Sequence, residues 1–193
     1  MSVRGRTLFL AVALAVSLAG CGSAPMHFFE LTAVPATAAP RHVAGPPIEV
    51  RPVSIPPVLD RHALVTATGG TGVAISGNDR WAAPLDGMVQ RTLAADLNAL
   101  LPGHVVQPSD PAPPRDARPL QVNIERFMPD QAGRVTLVAD WALFAHRRRV
   151  AGRREQVQVA AASARPDDAT AAMSRALGEL AARIARAIPE GKR

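Results

Sequence analysis

Tyrosine is absent from the chain and aromatic residues of all kinds make up 4% of it. Stacking platforms for bases or sugars are therefore scarce. Cysteine occurs once, at position 21, so an intramolecular disulfide is excluded. The five histidines, at 27, 42, 62, 104 and 146, have no paired metal-ligand spacing. No Gly-x-Ser-x-Gly elbow occurs, so a nucleophile is hard to nominate. Gly69-Gly-Thr-Gly72 lacks the Lys-Ser/Thr pair and the following helix of a phosphate-binding loop, and reads as a hairpin turn. Asp60-Arg61-His62 has catalytic residue types, but neighbours in a turn point different ways, and a local salt bridge is the better reading. Nothing in the composition supports an enzyme, a metal or another cofactor.

Long hydrophobic runs are also lacking. The longest, Thr7 to Gly20, has 14 residues, too few to span a bilayer, which takes about 20. It follows Arg4 and Arg6 and ends in Leu18-Ala19-Gly20-Cys21. A basic start, a short apolar middle and small residues at the end make a secretory signal. Leu-Ala-Gly-Cys resembles the bacterial lipoprotein box, in which the peptide is cut before the cysteine and the thiol is acylated. Cys21 is accordingly the expected lipidation site, and Gly22, in place of an Asp retention signal, points to the periplasmic face of the outer membrane. Two or three acyl chains suffice for a stable anchor where one is marginal.

Removal of residues 1–20 leaves 173 residues, enough for one domain with a core. With Arg4 and Arg6 gone, 20 Lys+Arg stand against 16 Asp+Glu, a net charge near +4. That excess is too small to argue for nucleic acid. The expected organisation is a leader over 1–20, a lipidated tether over 21–26, one periplasmic domain over 27–189 and a polar tail over 190–193.

Within the domain, residues 27–32 read as a first strand and 33–47 as an extended loop. Residues 48–55 alternate, but prolines 52, 56 and 57 suggest an edge position or an early end. Residues 63–68 and 73–76 form a hairpin. Asn78 or Asp79 is expected to cap a helix with Pro84 in its first turn. Its apolar face comprises Leu85, Met88, Val89, Leu93, Leu97, Leu100 and Leu101, and Arg91, Asp96 and Asn98 are expected on its surface. After a short strand at 104–107 and a proline-rich loop, three alternating strands form an antiparallel meander, with turns at 129–133 and around 150–152. Residues 166–168 are expected to cap a final helix striped by Ala169, Met173, Ala176, Leu177, Leu180, Ile184 and Ile188, with Arg175, Arg183 and Arg186 facing outward. The fold class is α/β: a mixed, largely antiparallel sheet packed with two amphipathic helices. Arg147, Arg148, Arg149, Arg153 and Arg154 are expected to gather at one hairpin tip. There they would serve solubility or meet acidic lipid headgroups or an acidic partner.

The lipobox, Phe28-Phe29-x-Leu31, Ile48-x-Val50-x-Pro52-Val53, Asp60-Arg61-x-x-Leu64-Val65 and Asn78-x-Arg80-Trp81-x-x-Pro84-Leu85 together resemble the PqiC/YmbA group. These are the auxiliary lipoproteins of ABC-type and MCE-type transport systems. The later strands match in pattern only, His62 stands where Pro is expected, and Phe28-Phe29 where Tyr-Tyr is commoner. The resemblance implies a non-enzymatic outer-membrane lipoprotein. Its partners would be an MCE-domain protein spanning from the inner membrane and that membrane's transport components. It would move lipid between membranes, and assembly into a ring is a further expectation. On this reading Asp60, Arg61, Asn78, Arg80, Trp81 and Pro84 hold the turn and the helix entry. The alternatives are a free-standing periplasmic carrier of lipid or another small ligand, and a structural lipoprotein of another envelope machine.

Overall fold

The computed structural model describes residues 24–35, 38–110 and 114–189. The leader, Cys21 and the tail lie outside them. In chain order the elements are β1 (His27–Phe29), β2 (Ile48–Val50), β3 (Ala63–Gly69), β4 (Gly72–Trp81), α1 (Leu85–Leu100), β5 (Val105–Val106), β6 (Arg118–Pro129), β7 (Arg134–Ala145), β8 (Arg148–Ala160) and α2 (Pro166–Ala187). A five-stranded sheet runs β5-β2-β6-β7-β8 and a three-stranded sheet runs β1-β4-β3. The α/β class and the two amphipathic helices are as expected.

Period-two patterning builds the meander. Leu120 lies opposite Leu143, Val122 opposite Trp141 and Ile124 opposite Ala139. All six are buried, while Gln121 and Asn123 between them are exposed. Past a register shift, Phe127 pairs with Leu137, which pairs with Val157. Alternation puts one face of these strands under the helices and leaves the other to solvent. β2 ends after three residues, before Pro52, yet it is not an edge: β5 and β6 both pair with it in parallel.

The second meander turn differs from expectation. The chain reverses at His146-Arg147, whose φ values of 49° and 63° give the two left-handed residues of a tight hairpin. Val150 to Gly152 lie inside β8. Gly152 has φ 150°, and a Cβ there would come within 2.5 Å of the Trp141 carbonyl oxygen. A glycine that reads as a turn in the sequence instead marks a close backbone approach within the strand.

The entry to α1 is the second correction. Asn78 and Asp79 do not cap the helix, because β4 continues through both to Trp81. Asp79 pairs with His27 at 3.0 Å, and its amide donates to Ser76 Oγ. β1 pairs with Asp79–Trp81, which holds this stretch extended. Pro84 is itself the N-cap (φ −52°, ψ 130°), and its carbonyl accepts the Met88 N–H. At α2 the N-cap is Arg165, with Pro166 as the first helical residue and Asp167 and Asp168 within the first turn.

The helices pack on each other and α2 packs on β7 and β8, so the core lies between the helix pair and the meander. Asp96, expected on the surface, is 3% exposed. Arg183 does not point freely outward: it bonds Glu179, Glu155 and the Gln156 carbonyl oxygen, pinning α2 to β8.

Candidate functional site

Two concavities carry chemistry. The first lies on the solvent face of the meander, about 550 Å³ in volume and bordered by Arg51, Ser54, Gln121, Asn123, Asp140, Ala142, Arg149, Arg153 and Arg154. The segment after β2 supplies Arg51 and Ser54, and Ser54 is bridged to Asn123 of β6. β8 supplies the other three arginines. Arg149 reaches the groove by lying over Gly152, where a Cβ would stand 2.8 Å from its Nε.

Three of the arginines have carboxylate partners. Arg51 bonds Glu49 at 2.8 Å, Arg154 bonds Glu125 with Asp140 at 3.7 Å, and Arg153 bonds Glu155. The Arg149 side chain bonds no other described residue, nor do those of Arg147 and Arg148. The groove is thus an open, arginine-rich surface suited to bidentate contact with phosphate or carboxylate groups.

The five arginines of the expected tip do not gather there. Arg147 sits in the turn and Arg148 beside it, whereas Arg153 and Arg154 lie mid-strand opposite Trp141 and Asp140. Register decides this: the turn falls several residues earlier, so the same sequence distance carries Arg153 and Arg154 down the strand. Arg51 is the arginine that sequence reasoning missed. It enters only because β2 is brought alongside β6.

The second concavity, about 630 Å³, lies between the helices and is bordered by Val34, Pro35, Asp96, Leu100, Val159, Arg175, Gly178, Glu179, Ala182 and Arg186. A strap of chain, residues 31–34, crosses the α1–α2 seam here. Thr92 Oγ1 donates to the Leu31 carbonyl oxygen at 3.3 Å, the Thr32 N–H to Ser174 Oγ at 3.2 Å and the Val34 N–H to Asp96 Oδ1 at 2.9 Å. Thr92 and Asp96 on α1, and Ser174 and Gly178 on α2, are each four residues apart, so each pair lies on one helix face. A Cβ at Gly178 would sit 2.2 Å from Val34 Cγ2, so glycine is what lets the strap approach.

Asp96 Oδ2 is buried and has no partner among the described residues. Burial raises the Asp96 pKa from 3.8 to about 6, and the Val34 N–H lowers it in part. The sequence carried a signal for this: Asp96 stands three residues after Leu93 and four before Leu100, in step with the apolar stripe.

The motif residues do not converge on a site. Asp60 is exposed, and Arg61 Nε donates to the Val58 carbonyl oxygen at 2.8 Å. Asn78 is exposed, Arg80 is half-buried and Trp81 is 4% exposed. The Trp81 N–H bonds the His62 carbonyl oxygen at 2.6 Å and the Ala82 N–H bonds that of Phe29 at 2.9 Å, joining the 59–62 turn and β1 to the helix entry. Among the described residues no three or more His, Cys, Asp or Glu side chains group as metal ligands.

The family described as "ABC-type transport auxiliary lipoprotein component" matches residues 29–185. Two curated proteins, each called "Intermembrane transport lipoprotein PqiC", from Escherichia coli K12 and Shigella flexneri, are 29% identical over 138 residues. That is 70% of this chain and 73% of theirs. A crystal structure described only as that of an uncharacterized protein superposes with TM-score 0.70 at 23% identity, over 84% of this chain and 98% of the other. A protein from Xanthomonas campestris superposes with TM-score 0.65 at 18% identity, over 84% and 93%. The two structures share the fold.

Proposed function

The chain belongs to the ABC-type transport auxiliary lipoprotein family, and from that membership we propose that it is a non-enzymatic accessory of a system moving lipid between the inner and outer membranes. In this reading residues 1–20 are a leader, Cys21 carries acyl chains in the periplasmic leaflet of the outer membrane, 21–26 form the tether and 27–189 the working domain. Its partner is a periplasm-spanning MCE-domain protein with its inner-membrane transport components, met by a ring of copies of this chain. Asp60, Arg61, Asn78, Arg80, Trp81 and Pro84 hold the turn and helix entry in place.

The observation that carries the reading is the family match, which runs from β1 to the last turn of α2 and so takes in both helices and both sheets. The arginine groove supports a binding role, since open guanidinium groups suit anionic headgroups or an acidic partner surface.

The test is purification of the acylated protein from membranes with identification of what accompanies it. An MCE-domain protein in the eluate is the expected result. The cavity between the helices favours one rival, a free-standing carrier. Bound lipid with no protein partner would establish that rival instead. Cys21→Ser is expected to release the protein from the membrane fraction, and retention there would refute the anchor.

A further inference from the structure

Five large apolar side chains are exposed among the described residues, and four of them sit on or beside β1 and β4: Met26 at 55%, Phe28 at 63%, Val73 at 41% and Ile75 at 52%. Strand register gathers three of them. Phe28 lies opposite Arg80, which lies opposite Ala63; Ile75 lies opposite Val65, and Val73 opposite Ala67. Between the Ala63 and Val65 pairings β3 advances two residues while β4 advances five, so the irregularity belongs to β4. Ala63, Val65 and Ala67 share one face of β3 by alternation, and Phe28, Ile75 and Val73 stand on that same face.

Residues 63–78 carry no charged side chain. β1 pairs only with Asp79–Trp81, so among the described residues the β4 edge from Gly72 to Gly77 has no strand beside it. Soluble proteins ordinarily guard such an edge with charge or proline, and here neither is present. An exposed apolar hairpin of this kind marks an interaction surface.

The position of Cys21 says what covers it. Cys21 is five residues before Met26, a span of at most about 18 Å when fully extended. β1 runs parallel to β4, so the chain reaches His27 from the Val73–Ile75 end of the hairpin. An acylated Cys21 holds its own acyl chains in the leaflet, within that reach of exposed Met26 beside β1.

We propose that the β3–β4 hairpin, with Phe28, Val73 and Ile75, lies in the headgroup region of the anchoring bilayer and fixes the domain's orientation on it. The inference rests on acylation of Cys21. Burying these side chains at the lipid boundary adds apolar contact to the acyl chains, and residues 63–78 carry no ionic group that must lose its hydration there, the charges of the hairpin being confined to Asp79 and Arg80 at its base.

The acylated protein has no other thiol, so Ile75→Cys offers one site for an environment-sensitive fluorophore, with Val73→Cys as a second placement and exposed Arg91→Cys on α1 as the reference. In phospholipid vesicles the labels at 75 and 73 are expected to shift to the blue and lose intensity when the lipid carries a nitroxide quencher. The label at 91 is expected to do neither. Labels at 73 and 75 that behave like the one at 91 would overturn the proposal. So would a blue shift without lipid quenching, which would show the patch covered by protein, a second copy included. Wild-type protein taking up the fluorophore would show a free Cys21, and then the anchor itself fails and the patch with it.

Discussion

Replacing Asp96 by asparagine removes an ionisable group from the seam where the strap crosses the helices. The carboxylate is 3% exposed, accepts one backbone N–H from Val34 and leaves Oδ2 unpartnered among the described residues. Its pKa rises from 3.8 to about 6, chiefly through burial. The folded form therefore holds a proton over a range where the unfolded chain has lost it. Stability from this group is full below pH ~4, declines as pH rises to ~6 and is absent above that. The displacement corresponds to about 3 kcal/mol, or about 6–12 °C in melting temperature for a domain of this size. The asparagine would keep the acceptor for Val34 but bury an unpaired NH2, costing about 1–3 kcal/mol at every pH. The decisive quantity is therefore the difference in stability between Asp96→Asn and wild type, measured by urea unfolding from pH 4.5 to 7.5. Subtraction cancels what the rest of the protein contributes equally in both forms; Arg175, Glu179 and Arg186, which border the same cavity, are present in both. The variant should gain on wild type as pH rises. A difference that stays constant across the range would refute the assignment of the raised pKa to Asp96.

Trp81→Ala empties a site buried against the core and should cost about 3–5 kcal/mol in urea unfolding; a midpoint unchanged from wild type would contradict its placement. Gly178→Ala gains about 1 kcal/mol of helix propensity but forces a methyl into Val34, an overpacking cost of about 1–3 kcal/mol. Net destabilisation is expected, relieved when Val34→Ala is added, and a stabilised single variant would show that the strap is not held against α2. Neutralising Arg51 and Arg149 to Gln should weaken sedimentation with anionic vesicles at low salt, the effect fading at 0.15 M salt as screening sets in over about 8 Å. Equal binding by wild type and variant would leave the groove without a role at charged lipid.

The regular elements were legible wherever burial imposed a period. The meander strands, both helices and the proline-shortened β2 follow directly from spacing. Their ends were less legible. Asn78 and Asp79 have the chemistry of helix caps, but β1 pairs with this stretch and keeps it in a strand. That long-range parallel contact has no local signature. Gly152 looked like a turn because a turn and a close backbone approach both require glycine, and only the position of Trp141 tells them apart.

The amino-acid order alone determined the signal pattern, the one cysteine at its end, the apolar stripes and the family motifs, because each depends on residues within a few positions of one another. The tertiary structure decided which side chains share a surface. Arg51 joins Arg149 and Arg154 because β2 is brought beside β6, and Asp96 is buried because the strap and α2 close over it. Val73 and Ile75 come to share a face with Phe28 because a parallel strand and a bulge set the register. Such neighbours are separated by tens of residues in the chain, and their meeting is fixed by which surfaces bury best together.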